Sequence, residues 1–213
     1  GVPESFVLKS FKDYSLGEPF IKNITIKSFD NEEDAAKSFK AGNIDLVGIL
    51  STDNSEAITK NAEKVEVSTL PRIFSIFINP SNNEVLGDQK LLTVLSGAIN
   101  RDELVKNVLD GFGVSLYGPL PENNYPKYIK TLSAEEAGVA LDELGWKLNG
   151  ENIRNKEINK KKVYLSFTLS TSDAPELSET ARMVSEMMAT VGVEIKVQPY
   201  EIGTLNQDII RPR

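Results

Sequence analysis

The feature that most constrains the fold is the stretch from residue 163 to residue 197. Val163, Leu165, Phe167 and Leu169 alternate with Tyr164, Ser166 and Thr168, the period-2 pattern of one extended strand with an apolar face. A helix capped near Asp173 follows, with Leu177, Ala181, Val184, Met188 and Val191 as its inner stripe and Gly192 as its stop. Val193 to Val197 then alternates again. Strand, helix and strand in this order predict a parallel crossover, and a parallel pair needs cover on its faces, so the chain is read as α/β.

Other elements follow from local signals. Ile24 to Lys27 alternates as a strand, Asp30 and Glu33 have capping-box spacing, and a helix through Ala35, Ala36 and Phe39 should stop at Gly42. The apolar run Ile44 to Leu50 predicts a buried strand, which would complete a first β-α-β unit. Short and longer strands are expected at Val65–Val67 and Ile73–Asn79, the second closed by the turn-forming residues 79–83. Asp88 is placed to cap one helix, Asn100 with Glu103 to open a second that ends at Gly111, and Ser133 with Glu136 to open a third that ends at Gly145. The Gly- and Pro-rich stretch from 111 to 128 reads as a loop.

Composition excludes more than it proposes. The 213 residues contain no His and no Cys, which removes thiol nucleophiles, thiolate and imidazole metal sites, and the commonest general base. A net charge of −7 argues against nucleic acid as partner, because that role needs clustered cations. The one basic cluster, Lys160, Lys161 and Lys162, reads as a solvated turn ahead of a strand. No apolar run is long enough to span a bilayer. Neither end resembles a natural terminus, so the chain is expected to be a fragment, with any signal peptide upstream.

Candidate catalytic patterns reduce to structural ones. Gly111-Phe112-Gly113 lacks the residues of a phosphate-binding loop and follows a helix instead of a strand. The acidic pairs Glu32/Glu33 and Glu135/Glu136 fall in the first turns of predicted helices, where they complement the helix dipole. Met183, Met187 and Met188 read as packing, with Met188 in the core and the others at its margin. Trp146, just past a helix stop, is expected to fold back on the last turn, the alternative being a platform for a ligand. No catalytic residue, metal ligand or cofactor is assigned.

Several segments together resemble the family 5 extracellular solute-binding proteins, the oligopeptide, dipeptide and nickel receptors of bacterial ABC importers. Ala41-Gly42-Asn43-Ile44-Asp45-Leu46 is similar to the family's A-G-E-I-D-L element, and Ile76-Phe77-Ile78-Asn79 to its crossing strand. Ala98-Ile99-Asn100-Arg101 resembles its A-I-D-R stretch, Gly118-Pro119-Leu120-Pro121 its G-P-x-P loop, and Leu144-Gly145-Trp146 its A-G-W. Val191-Gly192-Val193-Glu194-Ile195 resembles I-G-I-x-V. The family's P-F before the aspartate is Val85-Leu86 here, and its arginine shortly after that aspartate is missing.

The resemblance implies a type II (cluster C) periplasmic-binding-protein architecture of two α/β lobes that close on a ligand. It places residues 1–72 in part of the first lobe and 73–213 in the hinge-crossing strand and the second lobe. The ligand-facing positions it implies are Gly48, Ile49, Leu50, Ser51, Leu70, Ser75, Phe77, Thr171, Ser172 and Asp173. The expected role is noncovalent capture of peptides outside the cytoplasmic membrane for delivery to ABC permease subunits, by a monomer that is periplasmic or lipid-tethered. Nickel chelate, oligosaccharide or another solute on the same scaffold is the alternative. A carboxylate-based enzyme lobe and a purely structural interaction module are the readings from other classes.

Overall fold

The computed structural model describes residues 5–48, 66, 72–81, 83–118 and 130–211. The chain divides into two compact units, Gly1–Glu66 and Val67–Arg213.

In the first unit, β1 (Ser5–Lys9) pairs antiparallel with β2 (Asn23–Lys27), with Val7 opposite Thr25. Helix α1 (Glu32–Lys40) follows, and Ala36 is its buried residue. Its cap is one residue later than the sequence suggested: Asn31, not Asp30, accepts from the Asp34 amide at 2.9 Å. The Asn31 amide also donates to the Asp34 carboxylate, so this site satisfies two donors where Asp30 would satisfy one. Ile44–Gly48 is not a strand, and Leu46 is 84% exposed. The expected first β-α-β unit is therefore absent among the described residues. An apolar run becomes a strand only beside a ladder partner, and among the described residues β2 pairs with β1 alone.

The second unit holds the core. A 3-10 turn (Glu84–Gly87) leads into α2 (Gln89–Gly97), which Asp88 caps by accepting from the amides of Lys90 and Leu91. Helix α3 (Arg101–Val108) starts at Asn100, whose side chain accepts from the Glu103 amide. It ends three residues before the predicted Gly111, as Asp110 and Gly111 turn to positive φ. Helix α4 (Ala134–Glu143) opens on the expected capping box, with both the Ser133 and Glu136 bonds present.

The long strand predicted from Val163 to Leu169 is two strands. Strand β5 (Lys161–Tyr164) pairs antiparallel with β4 (Arg154–Ile158), which also carries the short β3 (Lys147–Leu148). Leu165, fully buried, is the break, and β6 (Ser166–Ser172) then pairs parallel with β7 (Glu194–Tyr200). The two ladders use different partners, so the alternation continues while the sheet changes. Helix α5 (Pro175–Thr190) makes the expected crossover. Its N-cap is Ala174, not Asp173, and no side chain caps it, while Pro175 occupies the first turn, where a missing N–H costs nothing. A short helical segment (Ile202–Ile210) follows β7.

Leu91, Ala137, Leu141, Trp146, Leu165, Val184, Met188, Val191 and Val193 form one buried cluster, so helices α2, α4 and α5 and the β6 approach share a core. Full burial of each Leu in it contributes about 2 kcal/mol. Met183 is buried too, deeper than the margin position expected of it. Trp146 is 2% exposed and its amide donates to the Leu141 carbonyl, which makes it a core residue folded back on α4.

The predicted strand at Ile73–Asn79 has no ladder partner among the described residues, and Ile73, Phe74, Ile76 and Ile78 are all more than two-fifths exposed. Its closing turn is present, with Asn79 Oδ1 accepting from the Ser81 amide. Val65 and Val67 of the predicted short strand and residues 119–128 of the loop lie outside the described residues.

Candidate ligand-binding site

The parallel pair β6–β7 fixes the geometry of the one predicted cluster that can be followed atom by atom. Its register sets Thr171 beside Pro199 and Ser172 beside Tyr200, so both strands end at the same level. Parallel strands followed by helices leave a crevice at their carboxyl ends, the usual place for a ligand in an open α/β sheet. Thr171, Ser172 and Asp173 occupy that position.

Each of the three has a different environment. Ser172 is 3% exposed; its Oγ accepts from the Ala174 amide at 3.0 Å, and its carbonyl accepts from the Ser178 hydroxyl at 3.0 Å. It shapes the turn into α5. The Asp173 amide donates to the Tyr200 carbonyl at 2.8 Å, which locks the backbone while leaving the carboxylate exposed. Neither that carboxylate nor the Thr171 hydroxyl has a hydrogen-bond or ionic partner among the described residues. No side chain caps α5, Pro175 has no N–H, and the Leu177 and Ser178 amides donate to the Ala174 carbonyl, so the helix start presents the Glu176 amide alone. The turn thus offers an anion and a hydroxyl within three residues, next to the start of α5.

The other predicted positions are distributed along the chain. Gly48 ends the continuous described stretch 5–48 of the first unit. Ser75 and Phe77 lie in the extended stretch 72–79, Phe77 is 87% exposed, and neither forms a hydrogen bond to the 171–173 turn. Ile49, Leu50, Ser51 and Leu70 lie outside the described residues. Sequence reasoning missed Tyr200 and Ser178, which hold the turn in place. The parallel register predicted for the crossover was the signal that could have found Tyr200, since it sets the two strand ends side by side.

Among the described residues no group of three or more acidic side chains is arranged to hold a metal ion. No described helix is long and apolar enough to cross a membrane.

Residues 2–211 match the family described as bacterial extracellular solute-binding proteins, family 5, middle. The chain belongs to that family. The oligopeptide-binding protein AppA of Bacillus subtilis is 31% identical over 96% of this chain, and Protein XP55 of Streptomyces lividans 26% over 85%. The chain spans 38% and 33% of those relatives' own lengths. Among solved structures, AppA in complex with a nonapeptide superposes with a TM-score of 0.62 at 29% identity, covering 100% of this chain and 43% of that one. NikA from Brucella suis in complex with Fe(III)-EDTA superposes with a TM-score of 0.73 at 22% identity, covering 95% and 42%. The fold is therefore that of the periplasmic binding proteins of family 5, and this chain covers part of it.

Proposed function

We propose that this chain is part of the substrate-binding component of an ABC importer that captures peptides outside the cytoplasmic membrane and delivers them to the permease. The observation that carries this reading is 31% identity, across 96% of the chain, to a protein named for oligopeptide binding. The site chemistry agrees with it. A peptide presents a cationic amine and a regular series of amides, and the turn at 171–173 offers the Asp173 carboxylate to the first and the Thr171 hydroxyl to the second.

In this proposal the described ligand-facing positions are Gly48, Ser75, Phe77, Thr171, Ser172 and Asp173, with Ile49, Leu50, Ser51 and Leu70 completing the set. Residues 1–72 belong to a first lobe and 73–213 to a hinge crossing and second lobe, and closure of the lobes on a ligand signals loading. The working protein is a monomer, periplasmic or lipid-tethered at the outer face of the membrane, and it performs no chemistry on its ligand.

The test is titration calorimetry against peptides of graded length, a nickel chelate and oligosaccharides. Binding of peptides at micromolar concentration or below, with weaker response to the other two, is the expected result. Tight binding of a sugar or chelate with no response to any peptide would sink the reading.

A further inference from the structure

The hairpin between β4 and β5 turns through two residues, because Ile158 pairs directly with Lys161. Both loop residues have positive φ, +52° at Asn159 and +62° at Lys160. That arrangement matches the right-handed twist of the strands, and its usual second residue is glycine. A lysine there costs on the order of 1 kcal/mol of backbone strain. The strained position is occupied by a charged residue and followed by two more, in a chain whose net charge is −7.

The side chains at this tip are free to act. Lys160, Lys161 and Lys162 are exposed, and none of them forms an ion pair with a described residue. In the β4–β5 register Lys162 faces Glu157, and Lys161 faces Ile158. Lys161 and Lys162 therefore leave opposite faces of the ribbon, with Lys160 at its end. Cations arranged this way fan out from the tip instead of lining one pocket. A laterally extended anionic surface meets all three.

Beside Lys162 stands Tyr164, 41% exposed, with the ammonium 5.6 Å from its ring centre. A tyrosine beside a lysine suits a headgroup layer, where the ring has an apolar body and a polar tip.

We propose that the hairpin tip Asn159–Lys162 is a contact surface for an anionic lipid bilayer. The contact is peripheral. The acidic remainder of the chain does not forbid it, because charges more than about 8 Å from the surface are largely screened at physiological salt. Each lysine near such a surface contributes about 1 kcal/mol, which for three corresponds to about a hundredfold, reduced here by Glu157.

The test is co-sedimentation of the chain with vesicles of equal parts phosphatidylglycerol and phosphatidylcholine, against vesicles of phosphatidylcholine alone. The expected result is partition into the anionic vesicles only, weakened by added salt and at least about tenfold lower in a Lys160→Gly, Lys161→Gln, Lys162→Gln variant. Glycine suits the turn, and fluorescence of Trp146 verifies that the variant is folded. An all-arginine variant at the three positions should bind as the parent does. No binding of the parent, equal binding of the neutral variant, or binding to soluble polyglutamate with none to vesicles overturns the proposal, the last in favour of an acidic protein partner.

Discussion

The Arg154 guanidinium donates from Nε to the Val191 carbonyl at 2.7 Å, which ties β4 to the end of helix α5. The same group donates from Nη1 to the Trp146 carbonyl, just past the end of α4, at 2.6 Å and to Asp142, in its last turn, at 3.1 Å. One cation thus joins the carbonyl of Val191, the C-cap of α5, to the Trp146 carbonyl in the turn that follows α4. Asp142 is 46% exposed and adds little.

Replacing Arg154 by Met keeps most of the apolar stem and leaves those two carbonyls unpaired. The expected loss is about 2–4 kcal/mol, since each orphaned buried acceptor costs about 1–3 kcal/mol. Urea unfolding followed by Trp146, the single tryptophan, measures it. Arg154→Lys should recover only part, because an ammonium cannot reproduce the planar fork. A loss below 1 kcal/mol for Met would show that the carbonyls find other donors.

Helix α5 ends at Gly192, whose φ is +80°. A Cβ there would sit 2.5 Å from Leu148 Cδ2 and 3.0 Å from Arg154 Cγ, whereas at Gly111, with φ +82°, it would meet nothing within 4 Å. Both Gly→Ala changes force an L-residue into the left-handed region, at a cost of about 1 kcal/mol. Only Gly192→Ala also displaces the β3 contact and disturbs Arg154. It should therefore be clearly the more destabilising of the two in the same unfolding assay, and equal effects would remove the steric argument.

These two residues also mark what was legible in the sequence. Gly192 stood out because a stop glycine after an apolar stripe is local chemistry, as were the caps at Asp88, Asn100 and Ser133. Arg154 did not, because a charged residue reads as surface unless its partners are known, and those partners lie 8 and 37 residues away. The turn at Lys160 was legible, but the hairpin was not, because β4 is polar except at Ile158, and Lys161 and Lys162, read as turn, belong to β5. The candidate site was legible at Thr171–Asp173, where strand switches to helix. Its other positions depend on pairings with distant chain, which no local pattern contains.

The capping box of α4 should make the second unit acid-sensitive. Glu136 accepts from Lys130 Nζ and from the Ser133 amide, both at 2.8 Å. The Lys130 contact first, then the Ser133 amide, hold its carboxyl below the usual carboxylate range. The folded chain binds this proton less tightly than the unfolded chain, so the contribution is present above the unfolded value and is lost as pH falls through the folded one. Glu136→Gln keeps an acceptor for the Ser133 amide and removes the titration. Its unfolding midpoint should fall less steeply than the parent's between about pH 5 and about pH 3. Parallel pH profiles would show that the box does not titrate as argued.

Asp173 gives the sharpest test of the site, because its carboxylate is exposed and has no partner among the described residues while its backbone is held by Tyr200. It does not cap α5, which begins after Ala174, so Asp173→Asn should leave the unfolding midpoint within about 0.5 kcal/mol of the parent. If the carboxylate meets the cationic end of a peptide, the same change removes a charge-assisted bond of about 1.5–3 kcal/mol, roughly tenfold or more in affinity. The selectivity of the loss is what identifies the role. Peptides with a free amino terminus should lose that factor, and the same peptides acetylated at the amino terminus should bind the parent and the variant alike. A uniform loss for both would assign Asp173 to the shape of the turn, and no loss would place the ligand elsewhere.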